Sequence, residues 1–518
     1  MKWLGFAFLA GLASACGFEP WALWPLTLAA LALLLWLVET APSLRSALAR
    51  GYAFGAGQFM LGLNWIATSF TYQAAMPAWL GWLSVMLVSL YLAIYPAAAA
   101  GLAWRWSAAA PGASRGPEPG GRRDRLRLVL VFAAAWIVTE WLRASLFTGF
   151  AWNPVGVSLI ATQLSRLATV IGSYGLSGVA VLLAGVLLLL LEKGMRRGIL
   201  LFAAIAVAGG LVSAFGGGGT RPAGPSLRIV QPNIGQEERW REEVVERNFA
   251  KLRRLSSTAA EEPRLLLWPE SAVVEPLQDA RTGNEHRQRA RQVRERVGEL
   301  LGPRDLLLTG GVGFRSADGH TITSATNSVF AIGPGGRILG RYDKAHLVPY
   351  GEYLPMRPWL TAIGLSRLAP GDVDFDSGPG PQTLDVAEFG KVGFQICYEI
   401  IFSGAVIDRA NRPSFLFNPS NDAWFGAWGP PQHLAQARLR ALEEGVPVLR
   451  STPTGISAVI DAEGRLLHSI PWRTAGVIDA QLPGAAPPTL FARFGNSLSF
   501  LFALLLVAGA IAVRTKAR

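Results

Sequence analysis

Three short stretches, far apart in the chain, end on residue types that acyl transfer needs together. They are Leu-Leu-Leu-Trp-Pro-Glu270, Gly-Arg-Tyr-Asp-Lys344 and Gly-Phe-Gln-Ile-Cys397, the last followed by Tyr398 and Glu399. A thiol is a strong nucleophile once it loses its proton, and a carboxylate kept from water is basic enough to take that proton. An ammonium group balances the charge that builds on the attacked carbonyl. Taken singly, each residue has a plain structural reading: Glu270 caps a loop, Lys344 is a solvated lysine, Cys397 fills a core. Only their combination, base, charge stabiliser and nucleophile, points to chemistry. His346, two residues after Lys344, competes with Glu270 for the role of base.

The other chemistries lack their residues. The five histidines, at 286, 320, 346, 433 and 468, show no metal-ligand spacing, and no metal or other cofactor is expected. The glycine runs at 216–219 and 333–336 lack the strand, lysine and helix of a phosphate loop. The only other cysteine, Cys16, lies in an apolar run, so Cys397 is read as a free thiol.

Each of the three residues sits at or just past an apolar, strand-like run, so one edge of a sheet pair can gather them. Between residues 226 and 485 the pattern alternates. Strands are expected at 227–231, 265–268, 306–311, 392–397, 415–418 and 446–451. Charged amphipathic helices are expected at 237–256 and 285–301, and another helix at 432–444. Hairpins turn at 333–336 and 461–464. The expected domain is a layered α/β sandwich, two sheets between helices. Residues 349–381, rich in Pro and Gly without periodicity, suit a lid, and Trp359 within it is placed to dip toward lipid.

The rest of the chain is apolar. Mean hydropathy is positive, 51% of residues are hydrophobic and 18 are Trp, too apolar for an ordinary soluble enzyme. Runs of helix length fall at 3–17, 21–38, 52–70, 79–103, 128–147, 167–191, 199–215 and 498–513. Eight membrane spans are expected, seven before the polar domain and one after it. The small-x-small run Ala13-Ser14-Ala15 before Cys16 resembles a cleavage site, but the first span is read as retained. Glu140 and Arg143, one turn apart, are read as a helix-face ion pair.

Lys and Arg cluster in alternate loops and at both termini, including Lys2, Arg122, Arg123, Arg197 and Lys516. The loops between, at 18–20, 71–78 and 148–164, have none. The positive-inside rule then puts both termini in the cytoplasm and the polar domain outside. Those inward segments carry nearly all of the net +12, while residues 221–494 are almost neutral. The basic character is therefore membrane topology, and no nucleic-acid partner is expected. The domain expectation is a membrane domain at 1–216, a linker at 217–225, a catalytic domain at 226–485, and a last span and tail at 486–518.

The contexts Trp-Pro-Glu270, Asp-Lys344 and Cys397-Tyr-Glu399 resemble the carbon–nitrogen hydrolase (nitrilase) superfamily. With the expected spans, Gln231-Pro-Asn-Ile234 and His346-Leu-Val-Pro-Tyr-Gly-Glu352-Tyr-Leu-Pro355, the chain resembles the apolipoprotein N-acyltransferase family over essentially its whole length. The resemblance implies a nitrilase-like αββα domain outside the bacterial inner membrane. It also implies Glu270 as general base, Lys344 as oxyanion stabiliser and Cys397 as nucleophile. Glu352, Tyr398 and Glu399 would support the site, and Trp240 would stand at the substrate entrance. The implied substrates are a phospholipid, phosphatidylethanolamine acylated at sn-1, and the diacylglyceryl-cysteine of apolipoproteins, joined through a Cys397 thioester. Two alternatives are a membrane-anchored amidase passing the acyl group to water, and a transporter or sensor whose outer domain only binds.

Overall fold

A computed structural model of the chain describes residues 2–72, 76–107, 124–191, 195–215, 224–239, 242–257, 263–362, 364, 367–368 and 373–516. Trp240, most of the glycine-rich linker and most of the basic loop at 105–127 lie outside the described residues. Two compact units result: Met1–Ala67 with Gly81–Gly217 and Pro488–Arg518, and Thr68–Leu80 with Gly218–Pro487.

The first unit is helical. Among the described residues four helices are long and apolar enough to cross a membrane: Trp79–Trp106, Arg125–Ser145, Gln163–Leu190 and Arg196–Ala214. Three more apolar helices, Lys2–Ala15, Trp24–Glu39 and Ser497–Val513, are shorter. At 1.5 Å per residue a 14-residue helix such as Lys2–Ala15 is about 21 Å long, against roughly 30 Å of hydrocarbon. The third expected run forms the helix Leu44–Gly62, which opens with Arg45 and Arg50. Glycine lets these helices approach closely: a Cβ on Gly11 would lie 2.0 Å from the Phe54 carbonyl, and one on Gly57 2.2 Å from that of Phe8.

Glu140 and Arg143 are both buried, 3.9 Å apart. Glu140 Oε1 accepts the Val155 amide at 2.8 Å, and Arg143 Nη1 donates to the Trp152 carbonyl at 2.8 Å. The two form the expected i, i+3 pair on one helix face, and their other bonds hold down the segment after the helix, which was not expected.

The second unit is built on two sheets. The first contains β1 (Ser226–Gln231), β2 (Arg264–Leu267), β3 (Gln278–Asp279), β4 (Leu306–Arg315), β5 (Ser324–Gly333) and β6 (Arg337–Asp343). The second contains β7 (Thr383–Asp385), β8 (Lys391–Phe394), β9 (Phe415–Pro419), β10 (Val448–Ser451), β11 (Ser457–Ile460) and β12 (Leu466–Ile470). The last strand, β13 (Gly476–Gln481), returns to the first sheet beside β1. The orders are β13-β1-β2-β4-β5-β6, with β3 on β4, and β12-β11-β10-β9-β8-β7. Centres of both sheets run parallel, β1-β2-β4 in one and β8-β9-β10 in the other. That arrangement explains the near-continuous apolar runs of β2 and β9, which are buried on both faces.

Helices Glu242–Ser256 and Asn284–Gly298 cover the first sheet, burying Phe249, Leu252, Val293 and Val297 against Leu266, Leu307 and Phe330. The sheets face each other. Ser451 Oγ of β10 donates to the Val230 carbonyl of β1 at 3.0 Å, and the Tyr342 ring of β6 stacks on Phe394 of β8 at 5.5 Å. The expected two-sheet layering is therefore present. Within 349–381 the chain forms one short helix, Arg357–Ala362, and Trp359 on it is 78% exposed. Thr68–Leu80 also belongs to this unit: Ser69 Oγ donates to the Trp424 carbonyl at 3.0 Å, and Tyr72 packs edge-on against the Trp424 ring.

Candidate active site

Glu270 follows β2. The chain from Trp268 onward keeps pairing with β4, through Trp268 N–H to Leu308 O and Gly310 N–H to Pro269 O. Gly310 is required there, because a Cβ would come within 2.6 Å of the Glu270 Cα. Lys344 follows β6 and is fixed by its amide on the Asn327 carbonyl of β5, at 2.8 Å. Cys397 stands three residues after β8 with φ of +52°, a left-handed conformation that costs a non-glycine residue energy. A short 3-10 turn, Cys397–Ile401, begins at it.

These strand ends converge in a buried cluster. Glu270, Lys344 and Cys397 are each no more than 6% exposed. Lys344 Nζ lies 3.8 Å from Glu270 Oε1 and 2.9 Å from Glu352 Oε2. Asn327 Nδ2 bridges the two carboxylates, donating to Glu270 Oε1 at 2.8 Å and Glu352 Oε1 at 2.7 Å. Glu352 Oε2 also accepts the Val348 amide at 2.8 Å. The second Glu270 oxygen, Oε2, is buried without a hydrogen-bond partner among the described residues.

Two acids facing one base leave the cluster with a formal charge of −1, and the titrations follow. Burial raises the Cys397 thiol well above its ordinary range. Glu270 and Asp422 push it further, while Lys344 and the Asn421 amide pull the other way. The sulfur is therefore a protonated thiol at neutral pH. Burial disfavours the Lys344 ammonium, but Glu352, Glu270 and Cys397 outweigh it, and its pKa stands above the usual lysine value. The lysine is thus a fixed positive charge.

Glu399 ties the two halves of the site together. Its Oε1 accepts from Tyr342 OH (2.9 Å) and from the amides of Ala345 (2.7 Å) and His346 (3.0 Å). Its Oε2 accepts the Ile396 amide at 2.8 Å. One carboxylate thereby fixes the chain after Lys344 against the chain before Cys397. Tyr398 points the other way, packing edge-on against Phe402 and tilted against His346. His346 lies over Phe402, ring centroids 3.9 Å apart.

The relatives decide the family. Residues 10–186 match the apolipoprotein N-acyltransferase N-terminal domain, and residues 226–486 match the carbon–nitrogen hydrolase domain. The protein named apolipoprotein N-acyltransferase in Rhodopseudomonas palustris is 34% identical over 95% of this chain and 91% of its own. The one so named in Caulobacter vibrioides is 36% identical over 98% of this chain and 94% of its own. The chain belongs to the apolipoprotein N-acyltransferase family. Among solved structures, a mutant amidase of the nitrilase superfamily from Nesterenkonia AN1 matches 54% of this chain and 97% of its own. It is 16% identical with a TM-score of 0.35, a likeness that carries no argument.

The family resemblance thus rests on a nitrilase-like sheet unit and a helical, membrane-associated unit. Sequence reasoning missed a second cluster, behind Cys397. His433 Nε2 lies 3.0 Å from the Cys397 carbonyl oxygen, and Nδ1 lies 3.0 Å from both Asp422 Oδ1 and Arg450 Nη2. The carbonyl requires a donor, so Nε2 carries the proton, and Nδ1 accepts from Arg450. Burial and the Arg450 charge lower the His433 pKa, which agrees with a neutral ring. Arg450 Nη2 also binds both Asp422 oxygens, at 2.8 and 2.7 Å. The signal was present in the polar run Asn418-Pro-Ser-Asn-Asp422 directly after an apolar strand. Asn327 was missed as well, lying in the polar first half of its strand, Ser324-Ala-Thr-Asn-Ser328, ahead of the apolar half.

Proposed function

We propose that this protein N-acylates the diacylglyceryl-cysteine of apolipoproteins with an acyl chain from a phospholipid, through a thioester on Cys397. The observation that carries the reading is the buried, unpartnered Glu270 Oε2 in a cluster with a neutral thiol and a fixed ammonium. A thiol held protonated needs a base at the moment of attack, and the open oxygen is an acceptor without another partner among the described residues.

In the first half-reaction the Cys397 sulfur attacks the ester carbonyl as its proton passes to Glu270. The Lys344 ammonium offsets the oxyanion. The carbon–oxygen bond then breaks, the leaving alkoxide takes the proton from Glu270, and a lysophospholipid departs. In the second, the acceptor α-amine attacks the thioester carbonyl. Its proton returns through Glu270 to the sulfur as the carbon–sulfur bond breaks, leaving an amide. Glu352 holds the Lys344 ammonium at 2.9 Å, and Glu399 with Tyr398 keeps the Cys397 turn in place. Trp240, outside the described residues, is assigned to the substrate entrance.

Both substrates are membrane-anchored, which fits a catalytic unit tethered by a helical bundle. The reading includes eight spans, with the shorter helices and Leu44–Gly62 completing the set, and an inner-membrane location with both termini cytoplasmic. Residues 226–485 would then form the periplasmic catalytic domain, joined by the 217–225 linker and followed by the last span in 486–518. Phosphatidylethanolamine is the donor assigned. Intact-protein mass spectrometry after incubation with that lipid alone tests the scheme. An acyl-sized adduct is expected, absent in Cys397→Ala and removed by an acceptor lipopeptide. Lysophospholipid release without an adduct would remove Cys397 from the nucleophile role.

A further inference from the structure

The sequence stretch Gln231-Pro-Asn-Ile234 takes no part in the chemistry above, yet it organises a cavity next to the nucleophile. The Gln231 side chain is buried. Its Nε2 donates to the carbonyls of Pro471 and Thr474, both at 2.8 Å, and its Oε1 accepts the Ser457 amide at 2.9 Å. This one amide pins the turn between β12 and β13, the turn that carries Trp472 and Arg473. The turn is fixed a second time by the Arg473 amide on the Thr454 carbonyl, at 2.8 Å.

The cavity has a volume of about 390 Å³, and Tyr72, Asn233, Gln236, Glu237, Trp472 and Arg473 are among the residues lining it. That is within the range of small-molecule sites, roughly 300–1,000 Å³. It adjoins the catalytic cysteine. Gln236 Oε1 accepts from Asn421 Nδ2 at 3.0 Å, and the Asn421 amide acts on the Cys397 sulfur. Among the described residues lining it, the wall carries one cation and one acid. The Arg473 guanidinium lies over the Trp472 ring at 4.4 Å, which holds its planar fork in place. Glu237 opens toward solvent, and among the described residues no ion pair joins it to Arg473.

We propose that this cavity is the headgroup subsite for the acyl donor, with Arg473 binding the phosphodiester and Glu237 the ammonium of a zwitterionic glycerophospholipid. The inference rests on the acyl-transfer reading and deepens it, by naming what selects the donor. A planar guanidinium suits a phosphodiester through paired, charge-assisted hydrogen bonds. An acidic headgroup without an ammonium would leave Glu237 facing only anionic charge, which disfavours it.

The test uses the full-length protein in neutral detergent micelles with no acceptor present, so that only the donor occupies the cavity. Thioester formation is followed with ethanolamine and glycerol phospholipids of identical acyl chains. The unsubstituted protein should favour the ethanolamine lipid. Glu237→Lys should erase or invert that preference, by about tenfold, the scale of one charge-assisted contact. Arg473→Ala should raise KM for both lipids by about tenfold with kcat little changed, and Arg473→Lys should recover part of the loss. An unaltered headgroup ratio in Glu237→Lys, or an unaltered KM in Arg473→Ala, would overturn the subsite while the thioester adduct still upheld acyl transfer. No adduct with either lipid would overturn both.

Discussion

Cys397 lies between two buried polar clusters of opposite design. On one side Glu270, Glu352 and Lys344 leave a net negative charge and, among the described residues, one carboxylate oxygen without a partner. On the other side Asp422 is balanced by Arg450, His433 is neutral, and both Asp422 oxygens and both His433 ring nitrogens have partners. Burying polar groups costs several kcal/mol unless they are paired. A cluster whose carboxylate and imidazole are both paired is therefore a brace, although Arg450 Nε lacks a partner among the described residues, and one with an open carboxylate oxygen is a place where a proton or a substrate is meant to go. The second cluster holds the carbonyl of a residue in left-handed conformation, and the first works on that same residue's sulfur.

The largest effect should come from breaking the open cluster. Glu270→Gln keeps the side-chain shape, and Lys344 keeps Glu352 as its near partner, so stability should change little. Loss of the base should slow thioester formation by about a thousandfold, within the range for removing a general base. Single-turnover release of lysophospholipid measures this. A drop of less than tenfold would mean that another group takes the proton, and His346→Ala would then be the variant to make. As His346 stacks on Phe402 and gives its amide to Glu399, that second variant should lose far less.

Breaking the closed cluster should cost less and in a different quantity. His433→Ala leaves the Cys397 carbonyl without its donor, which favours relaxation of the turn. We expect thioester formation to fall by about 10- to 100-fold in kcat with KM nearly unchanged, and thermal stability to fall by about 1–3 kcal/mol, the cost of an orphaned buried group. His433→Gln, which retains a donor, should recover part of kcat. Loss of stability with kcat untouched would make the cluster a structural brace alone.

The same contrast explains how much the chain disclosed before folding. Glu270, Lys344 and Cys397 stood out because each closes an apolar run, and the αβ layering followed from the period of those runs. Glu270 and Lys344 are ion-pair partners 74 residues apart in sequence, so only fold topology could bring them together. His433, Asp422 and Arg450 stayed hidden for a related reason. His433 lies mid-helix, Arg450 within a strand, and their task is to hold a backbone carbonyl, which leaves no pattern in spacing. Cavity-lining Tyr72 was less legible still, since it sits in a segment bounded by apolar helices, far from the sheets in sequence. In the helical unit, four of the eight apolar runs form helices of spanning length among the described residues, and the helix of the third run starts eight residues early, at the Ser43 N-cap, so that it takes in Arg45 and Arg50.

The smallest expected effect is a pH dependence, carried by the residue that joins the two halves of the site. Burial raises the Glu399 carboxyl to about 7, against the amides of His346, Ile396 and Ala345 and the Lys344 charge, which favour the ionised form. Ionised, it accepts four hydrogen bonds that fix both catalytic segments; protonated, it gives up acceptor capacity to those same amides. Thioester formation should therefore fall as pH drops through about 7. Stability should move the opposite way. A folded-state pKa above the unfolded value means that the contribution is complete below about 4.5 and is lost as pH rises through about 7. Glu399→Gln has no proton to gain, so it should be slower at pH 8 by about tenfold, one or two weakened hydrogen bonds, and should lack the acid limb. An acid limb that persists unchanged in Glu399→Gln would overturn Glu399 as the source of the pH sensitivity.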